Sequence, residues 1–393
     1  MAVAPRTPPK KRDWSWRSQA FRGLLYQIVA VVLIGGVAWF LAHNTAENMR
    51  IRGIQGGFDF LKSPAGFDIG ESLFHFDSND PYWKAFLIGV SNTLRVAIVG
   101  IVLTTILGTL IGIGRFSRNG LVRGICQTYV ELFRNVPVLI QLLMWYLLFT
   151  ELLPEISEAR NIGPFFLSKG GMSFPIPEWS TSHLATMAGA AIGLVAAWLF
   201  RRRTVKRFEE TGQMGSMFLV PLVVVIAGAL AGWVAGGMPT TWVVPKKGEF
   251  AVDGGGSLTP EFMAVLMGLV LYTAAFVAEV VRSGIQSVAR GQSEAAQALG
   301  LSKGQEMQKV LLPQALRVII PPMTNQYLNL TKNSSLAVAI GYPDVVSISN
   351  TALNQTGRAV ECIAIIMLVY LTTSLSTSFF MNWYNAKSAI KER

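Results

Sequence analysis

Six stretches of this chain run for 18 residues or more with scarcely a charge: Leu24 to Ala42, Ala85 to Ile111, His183 to Phe200, Met217 to Gly236, Phe262 to Val281 and Val360 to Met381. A helix rises about 1.5 Å per residue, so each is long enough to cross about 30 Å of hydrocarbon. No water reaches the middle of a bilayer, and every backbone N–H and C=O there must be paired within the chain. Runs of this length are therefore helices rather than open sheets. Two weaker stretches join them: Pro137 to Thr150, which is short, and Ala315 to Ile340, which prolines interrupt. Irregular spans of that kind are tolerated where neighbours or a cavity satisfy the backbone. The reading is an all-α integral membrane protein with about eight transmembrane helices.

Charge tests that count independently. Charged residues make up 15% of the chain, well under the roughly 25% of soluble domains. The net charge of +11 comes from basic residues placed between the apolar runs. They do not form one patch with interleaved aromatics, so the pattern favours membrane orientation over nucleic acid. The segments before Leu24, 112–136, 201–216, 282–317 and 382–393 hold 23 of the 34 Lys and Arg residues, whereas the alternate loops hold 10. The positive-inside rule places the first set, and both termini, in the cytoplasm. The run Arg201 to Arg207 reads as a topology anchor, with a lipid or nucleic-acid contact as the other possibility. Lys10, Lys11 and Arg12 before the first span resemble a signal peptide, but about nineteen apolar residues exceed an h-region, which favours a retained anchor. Cys126 and Cys362 are the only cysteines, and His43, His75 and His183 are scattered. That excludes a disulfide-dense fold and leaves no metal site.

One polar stretch interrupts this apolar chain with a definite local structure. In EAAQALGLSKGQEMQKVLLP, Glu294 to Pro313, Ser293 can cap a short helix over Glu294 to Leu299 and Gly300 can end it in a left-handed conformation. Ser302 with Gln305 then makes a capping box that restarts a second helix. Pro313, Pro321 and Pro322 remove backbone donors, so the next helix is expected to start abruptly and kink about two turns later. Gly254 to Gly256 suggest a phosphate loop, but no Gly-Lys-Ser or Gly-Lys-Thr occurs in the chain. GGMPTTW, VVPKKG and VDGGGS read as turns and outer loop.

The spacing of Glu294, Ala295, Ala296, Gly300, Leu312 and Pro313 resembles the cytoplasmic EAA loop of ABC importer permeases. The flanking blocks carry the resemblance further: SNTLRVAIVGIVLTTILGTLIGIGRFSRN and YVELFRNVPVLIQLLMWY before the insertion, then YTAAFVAEVVRSGIQSVARGQSEAAQALG, LLPQALRVIIPP and KNSSLAVAIG after it. They look like the polar amino acid uptake branch, and the extra spans resemble a permease subunit of general L-amino-acid importers. That resemblance implies a MetI-like (type I ABC importer) core of five helices. It divides the chain into an N-terminal segment, first span and outer loop (1–84), a first core part (85–150), an insertion with two spans (151–261), a second core part (262–385) with the coupling loop at 282–313, and a cytoplasmic tail (386–393). It also implies a bacterial inner membrane location and an importer of polar L-amino acids. The partners would be a second permease subunit in a heterodimer, an ABC ATPase dimer and a periplasmic amino-acid-binding protein. This chain would bind no cofactor and would not be an enzyme, because ATP and Mg would sit on the partner ATPase.

Ionisable groups inside apolar runs are costly and usually face the interior or a pathway. Arg95 or Lys332 are candidates for a substrate carboxylate and Glu279 for its ammonium. Equally, Arg95 can snorkel to the interface and Glu279 can pair with Arg282 one turn on. Asn325, Gln326 and Asn329 present amides toward a cavity or as glue between helices. Glu131 and Arg134, one turn apart before Pro137, are expected to pair as a gate or packing contact. Lys332-Asn333-Ser334-Ser335 resembles a family segment whose hydroxyls bond neighbouring helices. An ion-coupled secondary transporter is the rival reading, and it would be expected to show internal repeats and intramembrane carboxylates.

Overall fold

A computed structural model describes residues 18–51, 53, 56–178, 180–211, 219–238, 241–248 and 252–388. Lys10 to Arg12, Met217, and tail residues 389–393 lie outside that set. The helices run in order as α1 (Gln19–Ile51), α2 (Tyr82–Gly114), α3 (Gly120–Asn135), α4 (Val138–Glu151), α5 (Thr181–Thr211), α6 (Leu219–Ala235), α7 (Pro260–Gln286), α8 (Arg290–Ala298), α9 (Lys303–Glu306), α10 (Leu312–Asn333), α11 (Val345–Thr356) and α12 (Ala359–Ser388). Five of them, α1, α2, α5, α7 and α12, are long and apolar enough to span a membrane, or up to seven if each of two bent pairs is one span. The eighth expected span, α6, is helical over the 17 described residues Leu219–Ala235.

Apolar burial does little to bring helices together in lipid, so close backbone approach must do it. The α2–α7 pair shows how. A Cβ on Gly108 would lie 2.5 Å from Val277 Cγ1, and one on Gly112 would lie 2.8 Å from the Ala278 carbonyl. Nothing larger than glycine fits either place. Around this pair, α7 also packs on α3, α4 and α10, while α11 packs on α2 and α12. Val96, Leu142, Val265, Leu269 and Tyr342 are fully enclosed where these helices meet.

Several segments differ from the sequence reading. The approach to the short span is a complete amphipathic helix, α3, which meets α4 at 106°. Val136 and Pro137 make the corner, since the residue before a proline is pushed out of helical geometry. The stretch 345–356, between the apolar runs that end at Ile340 and begin at Val360, is helix α11, capped by Asp344, whose side chain accepts from Ser347 N at 2.8 Å. Its start sits against Gly89, where a Cβ would be 3.0 Å from Val345 Cα. The helix after the elbow does not start at Pro313. A π turn over Met307–Leu311 leads from α9 into α10, which continues unbroken through Pro321 and Pro322.

The insertion is not purely helical either. It carries short strands β1 (Arg160–Ile162), β2 (Phe165–Ser168), β3 (Gly171–Phe174), β4 (Ile176–Pro177), β5 (Trp242–Val243), β6 (Lys246–Lys247), β7 (Val252–Asp253) and β8 (Gly256–Leu258). β1, β2, β3 and β8 form one antiparallel sheet; β4 pairs with β5 and β6 with β7. The KKG and GGGS stretches expected as plain turns therefore supply strands. From this small sheet α5 and α6 rise as a hairpin.

Candidate functional site

The elbow between α7 and α10 is built from local signals. Gly300, at φ +72°, ends α8, with Gly300 N donating to the Gln297 carbonyl at 2.9 Å and Leu301 N to the Ala296 carbonyl at 3.1 Å. These are the two bonds of a Schellman cap. Two residues on, Ser302 N donates to Gln305 Oε1 at 3.0 Å and Gln305 N to the Ser302 hydroxyl at 3.4 Å, closing the expected capping box. The elbow is thus fixed on both sides of its glycine.

The start of α8 differs from expectation. It begins at Arg290, with Ala289 at the cap, so Ser293 lies inside the helix. Its hydroxyl donates to the carboxylate of Glu306, which Gln297 also approaches at 3.4 Å. Glu306 is buried and ties α8 to α9. Nothing in the spacing of Ser293 and Glu306 signals this role. Ala296 is only 3% exposed and packs inward, so it is not a free contact, whereas Leu299 is 81% exposed at the tip. Glu294 and Ala295 are exposed beside it, Leu312 is 39% exposed, and Pro313 is half-buried.

At the root of the elbow, Glu279 of α7 collects three arginines from three helices or their ends. Arg282 donates from Nε at 3.1 Å and from its terminal nitrogen, Arg115 at the end of α2 donates to the other oxygen, and Arg134 of α3 stands 3.9 Å away. Pairing with Arg282 was expected; Arg115 and Arg134 were not. The expected Glu131–Arg134 pair does not form. Glu131 accepts from Gln127 at 3.1 Å instead, and Arg134 lies over the Phe276 ring at 5.2 Å. The α3–α4 corner turns Arg134 toward α7, where a carboxylate and an aromatic face attract it more than an exposed neighbour one turn back.

Arg95 is also engaged. It donates to Glu71 at 2.5 Å and covers the Phe262 ring at 4.1 Å, while the Thr259 hydroxyl donates to the other Glu71 oxygen. Glu71 belongs to a strap, residues 56–81, pinned by buried Phe60 against Tyr82 and Phe86 and by Arg358 to Asp59 at 3.2 Å. Along α10, Asn325, Asn329 and Lys332 are exposed at helical spacing on one face. Gln326 is half-buried. Of the KNSS segment, Ser334 donates to the Thr331 carbonyl at 2.7 Å and Ser335 to that of Lys332 at 2.8 Å, and both hydroxyls also meet the Tyr370 side chain of α12, the contact to a neighbouring helix that was expected.

The profile of the family described as "Binding-protein-dependent transport system inner membrane component" matches residues 100–389, which take in the elbow and every helix from α3 to α12. The chain belongs to this family. Among similar proteins, the General L-amino acid transport system permease protein AapQ of Rhizobium johnstonii is 45% identical, over 98% of both chains. The Putative amino-acid ABC transporter permease protein YhdX of Escherichia coli is 42% identical over the full length of both. The Glutamate/glutamine/aspartate/asparagine transport system permease protein BztB of Rhodobacter capsulatus is 38% identical over 95% of both. As an inner membrane component of such a system, the chain is a multi-pass transport subunit and not an enzyme. Among the described residues no group of three His, Cys, Asp or Glu is placed to hold a metal.

Proposed function

We propose that this chain is the permease subunit of an ATP-driven ABC importer that moves polar L-amino acids, such as glutamate, glutamine, aspartate and asparagine, across the inner membrane. The observation that carries the reading is Leu299, a large apolar side chain 81% exposed at the tip of an elbow capped on both sides. A rigid apolar tip suits a groove on a partner, here a separate ATPase dimer that holds ATP and Mg. Glu294 and Ala295 flank that contact, Gly300 sets its angle, and Leu312 with Pro313 joins it to α10. Loop charge supports termini and elbow in the cytoplasm.

The exposed α10 face with Asn325, Asn329 and Lys332 is the proposed substrate pathway, completed by a second permease subunit. Lys332 would meet a substrate carboxylate, and the amides its polar groups. Arg95 and Glu279 already hold protein partners, so we place neither against substrate in this conformation. The second permease subunit is proposed to be a different chain, giving a heterodimer, and the binding-protein-dependent family supports a periplasmic amino-acid-binding protein as a further partner. Closure of the ATPases would move the elbow as a rigid body and change the side to which the pathway opens.

The test is uptake of radiolabelled L-glutamate, L-glutamine, L-aspartate and L-asparagine into sealed vesicles. Uptake should require ATP and the binding protein and survive collapse of the ion gradients. Uptake that follows an ion gradient without ATP would instead establish a secondary transporter.

A further inference from the structure

The Glu279 cluster is unevenly built. Arg115 and Arg282 grip the carboxylate closely and are only 15% and 29% exposed, whereas Arg134 stands at 3.9 Å and is 41% exposed. The first two contacts lie within one body, because α2 and α7 are locked backbone to side chain at Gly108 and Gly112. The third crosses to α3, the helix that turns by 106° into α4. Arg134 has Glu279 across the helix gap and Glu131 one turn back on α3, which accepts from Gln127 at 3.1 Å. From Glu279, α7 runs two turns to its end and then into the elbow.

We propose that Glu279 is a positioning residue for transport, and that it acts through Arg134 as a latch between the elbow and the α3–α4 corner. In the latched state Arg134 is held by Glu279 across helices, over the Phe276 ring. When α7 is displaced with the elbow, Arg134 passes to Glu131 on its own helix and the corner is released. One ion pair replaces another, so the two positions differ little in energy and a small displacement selects between them. Arg115 and Arg282 grip Glu279 in both positions, so the carboxylate moves as part of the α2–α7 body and stays its fixed point of attachment. Tyr129 of α3 donates to the Leu271 carbonyl of α7 at 2.6 Å, more than a turn away toward the membrane centre, and this contact acts as the pivot.

This latch rests on the reading of the elbow as the ATPase contact, and the experiment separates the two. The whole transporter, co-purified with its ATPase, is placed in lipid nanodiscs. ATP hydrolysis is measured with and without the binding protein, supplied with an equimolar mixture of L-glutamate, L-glutamine, L-aspartate and L-asparagine. Vesicle uptake of the same mixture is measured in parallel. Arg134→Gln should raise hydrolysis without binding protein by about threefold or more and lower uptake per ATP by about tenfold, with the elution profile and thermal midpoint of the complex unchanged. Arg134→Lys should restore most of the coupling.

Glu279→Asp keeps the charge between Arg115 and Arg282 but shortens its reach, so it should match Arg134→Gln and add nothing to it in the double variant. Glu131→Gln removes the second acceptor and should shift hydrolysis the other way, below wild type. Wild-type coupling in Arg134→Gln, or additive effects in the double variant, would overturn the latch alone. Failure of the wild-type chain to co-purify with any ATPase would overturn the latch together with the reading beneath it.

Discussion

Two helix pairs in this molecule are packed by the same device and serve different ends. In α2–α7, glycines 108 and 112 admit Val277 and the Ala278 backbone; in α5–α6, Gly189 and Gly193 face Gly228 and Gly232 so closely that a Cβ on Gly232 would lie 2.2 Å from the Ala185 carbonyl. Both are small-residue interfaces of the kind that lipid favours. The first is embedded among α3, α4, α10 and α11, while α5 and α6 pack extensively only on each other among the described residues. Their outward faces, with Leu184, Met187, Ile192, Leu222 and Leu230, stay exposed. Close packing makes a pair rigid, and only its neighbours decide whether that rigidity reaches the rest of the molecule.

Substitutions at the two glycine interfaces separate them. Gly108→Leu should have the largest effect, because Val277 and the Ala274 carbonyl cannot move apart without disturbing the core. Overpacking of this kind costs about 3 kcal/mol or more, and the variant should be lost from the membrane fraction and inactive in uptake. Gly232→Leu presents an equal clash but should splay only the hairpin, leaving membrane levels and more than about half of uptake. Equal loss in both variants would show that the hairpin belongs to the core after all.

Gly300→Val falls between these two in consequence. A β-branched residue in the left-handed region costs roughly 1–2 kcal/mol, which is not enough to unfold the spans. Membrane levels should hold while uptake falls about tenfold or more through misalignment of the elbow. Ser293→Ala removes one hydrogen bond to buried Glu306 and should lower the thermal midpoint by an amount equivalent to about 1–2 kcal/mol, with uptake reduced less than in Gly300→Val.

The smallest expected effect concerns pH at the strap. The Lys84 ammonium, and secondarily the Asp77 N–H, hold the Asp80 carboxyl below the usual carboxylate range. A depressed folded value means that its contribution is complete above the unfolded value, about 3.9, and fades as pH falls through the folded one. The hydrogen-exchange rate of residues 59–81, taken relative to the intrinsic rate at each pH, should therefore be flat from about pH 5 to 8 and rise only below about pH 4. Asp80→Asn should abolish that rise.

The elements legible in the chain are those that a few neighbouring residues encode. Apolar length gave the helices, since a bilayer admits little else there. Gly300 and the Ser302–Gln305 box gave the elbow, because caps are made within four or five residues. The proline at 137 marked the corner but not its angle, and α11 was hidden because its burial depends on Gly89, more than 250 residues away. Tertiary structure alone decided which charges meet. Arg115 reaches Glu279 across 164 positions and Thr259 reaches Glu71 across 188, so no local pattern records either pair. The same step reassigned Arg134 from its neighbour Glu131 to Glu279, because folding set a half-buried carboxylate and an aromatic ring in front of it, where a charge pair gains more than it does in open water.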